Sequence, residues 1–385
     1  MSHTPNTLPE TTGSAPSTRR RDAALHLLHR DQLKESMSLS RQPFLRNSTL
    51  AGLQAAITSV IALPLTYLSP WSHLIGFAAL GTLVALLGRF APGKKRHLTL
   101  FQAGLCQVLV VLIMSSAAWL GAPELLELSL LALLCGVLLF ICVTGNFGPP
   151  GALIFIFAAG ASMTTEISLE QVVQRTLMTA VVAVLAWAVC ALTEPLRQLP
   201  GPESNFPEEP QRPLTHRLIA AARISVGAGF AIFIASYALE ANYPAWAAMG
   251  ALAIMQGTHL HISMNRALQR MAGTVAGAVL AWILLQQAPS IWFLILIVAV
   301  LQLLTEFVIG FNYALGLLFV TPMALLMTYL GANGNVGMEI VTERLLDTLL
   351  GAGIGIAVAV LLSTLDDRRY LAKLRQPPAL DNRKS

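Results

Sequence analysis

The chain has 385 residues, of which 55% are hydrophobic and only 12% charged, about half the charged share of a soluble domain. With a mean hydropathy of +0.64, these proportions exclude a soluble globular domain and leave an integral membrane protein. A net charge of +5 could suit nucleic acid. The basic residues, however, sit at the ends of apolar runs and not along one stripe, so no nucleic-acid partner is expected.

Residues 1–20, rich in Ser, Thr and Pro, read as a disordered tail. Residues 21–41 set Ala24, Leu25, Leu27 and Leu28 beside charges, which fits either a short helix on the membrane surface or a solvated arm. Together, 1–42 form an amino-terminal arm without a cleavable signal pattern. Six apolar segments follow at about 47–68, 72–88, 98–119, 124–143, 150–164 and 170–193, inside a first repeat at 43–194. Pro195–Pro213 is too Pro-rich for a helix and makes a linker over 195–215. Six more segments, at about 216–239, 244–257, 265–286, 290–309, 312–330 and 339–363, lie in a second repeat at 216–365, followed by a polar tail at 366–385. The fold class is all-α, with about twelve transmembrane helices in two parallel six-helix repeats.

Loop charge orients the chain. The arm, the loop with Arg89, Lys94, Lys95 and Arg96, the linker and the tail carry the Lys and Arg, while the opposite loops carry Glu124, Glu127, Glu166, Glu170, Glu240 and Glu339. By the positive-inside rule both termini and the linker are cytoplasmic, and a bacterial inner membrane is the expected location. The halves echo one another at a period of about 165 to 177 residues: Trp71 parallels Trp246, Gly104 parallels Gly273, Gly145-Asn146 parallels Gly310-Phe311-Asn312, and the run from Gln174 parallels that from Glu343.

Ionisable residues inside spans are costly and mark candidate sites. Met264–Gln286 places Arg266, Arg270, Gly273, Gly277 and Ala281 on one helical face, the glycines opening a groove for a neighbouring helix. The two arginines either anchor lipid phosphate or attract a carboxylate at a helix amino terminus. In the last span Arg344, Asp347, Gly351 and Gly355 share a face, and an i, i+3 pairing of Arg344 with Asp347 would partly neutralise both. That face is either a packing ion pair or an anion site beside a proton-titrating carboxylate. Arg175 occupies the Arg344 position of the first half, where Met178 replaces the aspartate. Glu306 could pair with Arg266 or Arg270 or act as a proton site. The matching interruptions at Gly145–Pro150 and Gly310–Asn312 point towards a binding site, Thr321-Pro322 should kink its span, and Trp71 and Trp246 read as interface anchors. Cys106, Cys135, Cys142 and Cys190 lie in apolar runs as small core residues. No nucleotide loop, hydrolase elbow or metal motif occurs, so no enzyme activity, cofactor or metal is expected.

The second half resembles the fusaric acid resistance protein-like family of the aromatic acid exporter superfamily. The resemblance rests on Arg223, Tyr243-Pro244-Ala245-Trp246, the element NRALQRMAGTVAGAVLAW at Asn265–Trp282, Asn312-Tyr313-Ala314 with Thr321-Pro322, and Arg344-Leu345-Leu346-Asp347-Thr348 with Gly351. It implies an inner-membrane permease that exports aromatic carboxylates or toxic compounds on an ion gradient. Its partners would be an organic-anion substrate, membrane lipids and either an efflux partner protein or further copies of the chain. Arg344, Arg270, Asp347, Arg266, Glu306, Arg175, Asn312 and Thr321 are the candidate substrate or ion residues. A non-transporting scaffold or regulatory component and a passive anion channel are the alternatives. The family often carries a soluble cytoplasmic domain, and this chain has only the short linker and tail in its place.

Overall fold

The computed structural model describes residues 30–40, 44–164, 167–199, 213–256, 260–332 and 334–363. Residues 1–20, arm residues 21–29, linker residues 200–212 and the carboxy-terminal tail lie outside the described residues. Apolar runs become helices because lipid offers no water to backbone N–H and C=O groups, so each run must satisfy its own. Thirteen helices result among the described residues. A short α1, Arg30–Ser36, is followed in the first half by α2 Leu45–Tyr67, α3 Ile75–Thr82, α4 Gly93–Trp119, α5 Glu124–Thr144, α6 Leu153–Ala161 and α7 Leu169–Leu192. The second half has α8 Leu214–Ala238, α9 Ala245–Met255, α10 Leu260–Gln286, α11 Ile291–Val308, α12 Tyr313–Gly331 and α13 Glu339–Leu361.

Every expected segment is a helix, but the twelve are of two kinds. Among the described residues nine are long and apolar enough to cross a bilayer. The other three, α3 with its flanking 3₁₀ turns, α6 and α9, are shorter. The nine residues of α6 and eleven of α9 reach only about 14–17 Å against a hydrocarbon core of about 30 Å. Local signals set several boundaries. Ser168 and Gln171 form a reciprocal capping box at α7, the Asn312 side chain caps α12 by accepting from Ala314 N–H, and Pro322 sits inside α12.

The two halves interlock. The first helix of each half packs chiefly on the fourth of the other, α2 on α11 and α8 on α5. The short second helix of each half meets the fifth of the other, α3 with α12 and α9 with α6. Contacts within each half repeat at a sequence offset of 169 residues: Gly81 abuts Val182 in the first half as Gly250 abuts Gly351 in the second. The same offset makes Phe77, and not Trp71, the counterpart of Trp246. Trp71 is 51% exposed and Trp246 only 2%, so Trp246 is a core residue and not an interface anchor.

Close helix contact depends on missing side chains. A Cβ on Gly277 would lie 2.8 Å from Thr321 Cβ and 2.9 Å from the Leu317 carbonyl, so the glycine face of α10 is the seat of α12, its main neighbour. A Cβ on Gly250 would lie 3.0 Å from Gly351 Cα, which lets α13 lie against α9.

At one end of the molecule polar side chains bind elements together. Glu194 accepts from Arg96 and Arg197, both at 2.6 Å. Arg96 also donates to Gln54 at 2.7 Å, and Arg197 to the carbonyls of Arg89 and Ala91 at 2.9 and 2.8 Å. At that same sequence end of the second half, α1 docks as a strap. Gln32, fully buried, donates to the His261 carbonyl and to Asn265 on α10, while Ser40 N–H reaches the Phe311 carbonyl. Gln32 and Ser36 are buried on protein while Lys34, Glu35 and residues 37–40 stay exposed, and the apolar residues Ala24, Leu25, Leu27 and Leu28 of the expected surface helix lie outside the described residues.

Candidate functional site

The long α10 and α13 carry arginines into the interior because small residues one and two turns further along seat these helices against their neighbours. Arg270 and Arg344 are 2% and 1% exposed, and Asp347 1%. Arg270 Nη1 donates to the Tyr313 hydroxyl at 3.0 Å, but its Nε and Nη2 make no hydrogen bond among the described residues. The same holds for Nε and Nη1 of Arg344 and for both carboxylate oxygens of Asp347. The expected Arg344–Asp347 ion pair is not formed. Trp246, at the first turn of α9, lies under the guanidinium, 5.1 Å from the ring centroid, and the cation rests on that π-face in preference to the carboxylate three residues on. Arg270, Asp347 and Tyr313 all act electrostatically on Arg344, so these four groups form one cluster. Thr274 and Thr348, one turn beyond each arginine, add buried hydroxyls that make no hydrogen bond.

Two cavities lie near the cluster: one reaches it through Trp246, the ring beneath Arg344, and the other through Asp347, while Arg270 and Arg344 themselves line neither. One, of about 230 Å³, lies where the short helices meet their cross-half partners and is lined by Phe77, Phe157, Thr164, Tyr243, Trp246 and Thr328, among others. A second, of about 300 Å³, is lined by Glu339, Thr342, Glu343 and Asp347 of α13 and by the corner before α9. Asn242 belongs to both. The inner cavity has related walls from the two halves: Arg175 lies over Phe77 at 5.1 Å as Arg344 lies over Trp246 at the same distance. Tyr243 stacks on Trp246 with centroids 4.5 Å apart and planes 17° from parallel. In that outer corner, burial and the Glu343 charge raise the Tyr243 phenol above its ordinary value.

The remaining expected residues are placed elsewhere. Glu306 is bonded by Arg89 and not by Arg266 or Arg270, because α11 packs on α2 of the opposite half and faces the loop after α3. Arg266 is half-buried near the start of α10. Arg175 is half-buried and donates to Thr164 at 2.9 Å. Asn312 donates to the carbonyls of Ser36 and Ser38, both at 3.0 Å, so it holds the strap. Neither interruption, at Gly145–Pro150 or Gly310–Asn312, lines either of these two cavities. Thr321 is fully buried beside Gly277 with its hydroxyl unbonded. Trp246, Tyr313, Asn242 and Glu343 are the site residues that hydropathy alone passes over. The crowding of Glu339, Glu343, Arg344 and Asp347 into two turns of one span was the available signal for Glu343.

Fold and site together define a multi-pass, all-helical membrane protein with buried, unpaired charge near two cavities, one between its halves and one within the second half. Residues 230–358 match the sequence model of the family described as fusaric acid resistance protein-like. That stretch holds Trp246, Arg270, Tyr313, Thr321, Arg344 and Asp347. A relative described as the uncharacterized membrane protein YvaC of Bacillus subtilis (strain 168) is 34% identical over 131 residues, which cover 34% of this chain and 20% of the relative. The chain thus spans about a fifth of the length of that relative. No solved structure matches.

Proposed function

We propose that the protein is an inner-membrane secondary transporter that exports aromatic or other organic acids in exchange for protons, with both termini cytoplasmic. The observation that carries this reading is the pair Arg270 and Arg344, each at most 2% exposed and each with two nitrogens that make no hydrogen bond. Two uncompensated guanidiniums in a low-dielectric interior cost several kcal/mol, and a carboxylate supplies the counter-charge and acceptors that would offset that cost. The aromatic faces of Phe77, Tyr243 and Trp246 on the adjoining cavity suit a planar ring. Asp347 lines the second cavity with both oxygens free of hydrogen bonds, and it serves as the proton-carrying group.

The test is proton-gradient-dependent flux of labelled aromatic carboxylates in membrane vesicles at equal protein abundance. Arg344→Gln, Arg270→Gln and Asp347→Asn are each expected to lower flux at least about tenfold, the equivalent of about 1.4 kcal/mol. Arg175→Gln, whose parent already bonds Thr164, is expected to cost less. Flux that persists without the gradient would point to a passive anion channel. Wild-type vesicles that carry none of the panel would remove the transporter reading and leave a scaffold.

A further inference from the structure

Asn242 lines both cavities and Tyr243 the inner one, so this corner stands between them, and the polar contacts the two residues make outside it both go to one side chain. Glu343 accepts from Tyr243 N–H at 2.7 Å and from Asn242 Nδ2 at 3.2 Å. The corner runs only from the end of α8 at Ala238 to the start of α9 at Ala245; within it Ala241 N–H bonds the Ala235 carbonyl at 3.0 Å, and Glu343 is the side chain that ties it to α13. The next residue on α13, Arg344, covers Trp246, on which Tyr243 stacks. Adjacent residues of one helix therefore grip the corner and the first turn of α9 together. The first half repeats the contact at the offset of 169 residues: Gln174, counterpart of Glu343, bonds His73, counterpart of Asn242, at 3.1 Å. Only the second-half version is charged and also reaches the main chain, and a charged acceptor makes the stronger bond.

We propose that Glu343 is a positioning residue that latches the corner between the cavities, so that its release joins them and lifts Tyr243 from Trp246 and hence from the Arg344 support. In the transporter reading, on which only this consequence rests, the latch sets when ligand at Arg344 communicates with the outer cavity. The latch itself is a statement about access, so it is tested without transport.

The full chain is placed in lipid nanodiscs with Thr328→Cys reporting from the inner cavity, with native Cys135 kept as a buried reference in α5 and the other three cysteines changed to alanine. Labelling is followed with a polar maleimide. Glu343→Ala and Glu343→Asp, the latter keeping the charge but too short to reach both donors, are expected to raise labelling at Thr328→Cys by about tenfold, as for loss of a charge-assisted bond. Glu343→Gln, which still accepts from Tyr243 N–H but without the charge, is expected to label at a rate between wild type and alanine, and labelling at Cys135 to stay unchanged. Equal rates in all four proteins, a glutamine variant as fast as alanine, or a parallel rise at Cys135 would each overturn the latch. Should Glu343→Ala fail to accumulate, Asn242→Ala at an exposed position gives the same contrast, with an unchanged rate again overturning it. Loss of flux in the transport experiment leaves these rates as they are.

Discussion

Arg89 and Glu306 have side chains 4% and 3% exposed, so neither charge can lean on water. Burial lowers Arg89 to about 10, which still leaves it cationic near neutral pH. Removing one partner of such a pair strands the other, at about 3–5 kcal/mol, whereas replacing both with apolar groups often costs far less. Glu306→Gln should therefore lower thermal stability in detergent sharply, and adding Arg89→Met should recover much of the loss. Strictly additive losses in the double variant would mean that the two residues do not act as a pair. The cluster around Arg344 follows opposite logic. There the structure provides a π-face and a neighbouring guanidinium but no bonded carboxylate, and this unrelieved charge is what distinguishes a candidate site from a packing pair.

Between elements, the strap at residues 30–40 joins α10 to the turn before α12, and Asn312 performs two tasks there. Its oxygen caps α12 through Ala314 N–H at 2.8 Å, while its amide nitrogen holds two strap carbonyls. The tasks separate chemically. Asn312→Asp keeps the capping oxygen but sets a carboxylate in place of the donor against two strap carbonyls, so it should free the strap and speed tryptic cleavage after the exposed Lys34. Asn312→Ala should speed cleavage equally and also cost about 0.5–2 kcal/mol of stability through the lost cap. Cleavage as slow as in wild type for both variants would show that α1 is held by other contacts. Gln32 and Ser40 bind the same ends of α10 and α12, so the two helices whose glycine seam carries Arg270 and Thr321 are tied at one end by a segment over two hundred residues away in sequence.

For the molecule as a whole, the acid limit of stability should depend on Glu194, which joins α2, α4, the end of α7 and the loop before α4. Burial alone would raise its carboxyl, but the bonds and charges of Arg197 and Arg96 outweigh that and hold it below its ordinary 4.5. A carboxyl depressed on folding adds stability that is complete above the unfolded value, about 4.5, and lost as pH falls through the folded one. The unfolding midpoint in detergent should thus stay level from neutral pH to about pH 5 and drop below that. Glu194→Gln should flatten that drop at the expense of stability at pH 7. An acid limb identical in the variant would place the titration elsewhere.

Much of this architecture was legible before any coordinate. Runs of apolar residues located all twelve helices, since a bilayer forces each such run to bond itself, and helical spacing correctly put Gly273 and Gly277, and Gly351 and Gly355, on packing faces. Periodicity names a face but not what it meets. Only the tertiary structure sent Glu306 to Arg89 across 217 positions and Asn312 to Ser36 across 276, and laid Arg344 over an indole in place of the aspartate one turn away. The first depends on how the two halves interlock, the second on how the strap docks, and the third on the short α9 that brings Trp246 beneath α13. Sequence alone therefore determined which charges had to enter the membrane, because composition and spacing are local. Which of them stay unpaired was decided by long-range packing.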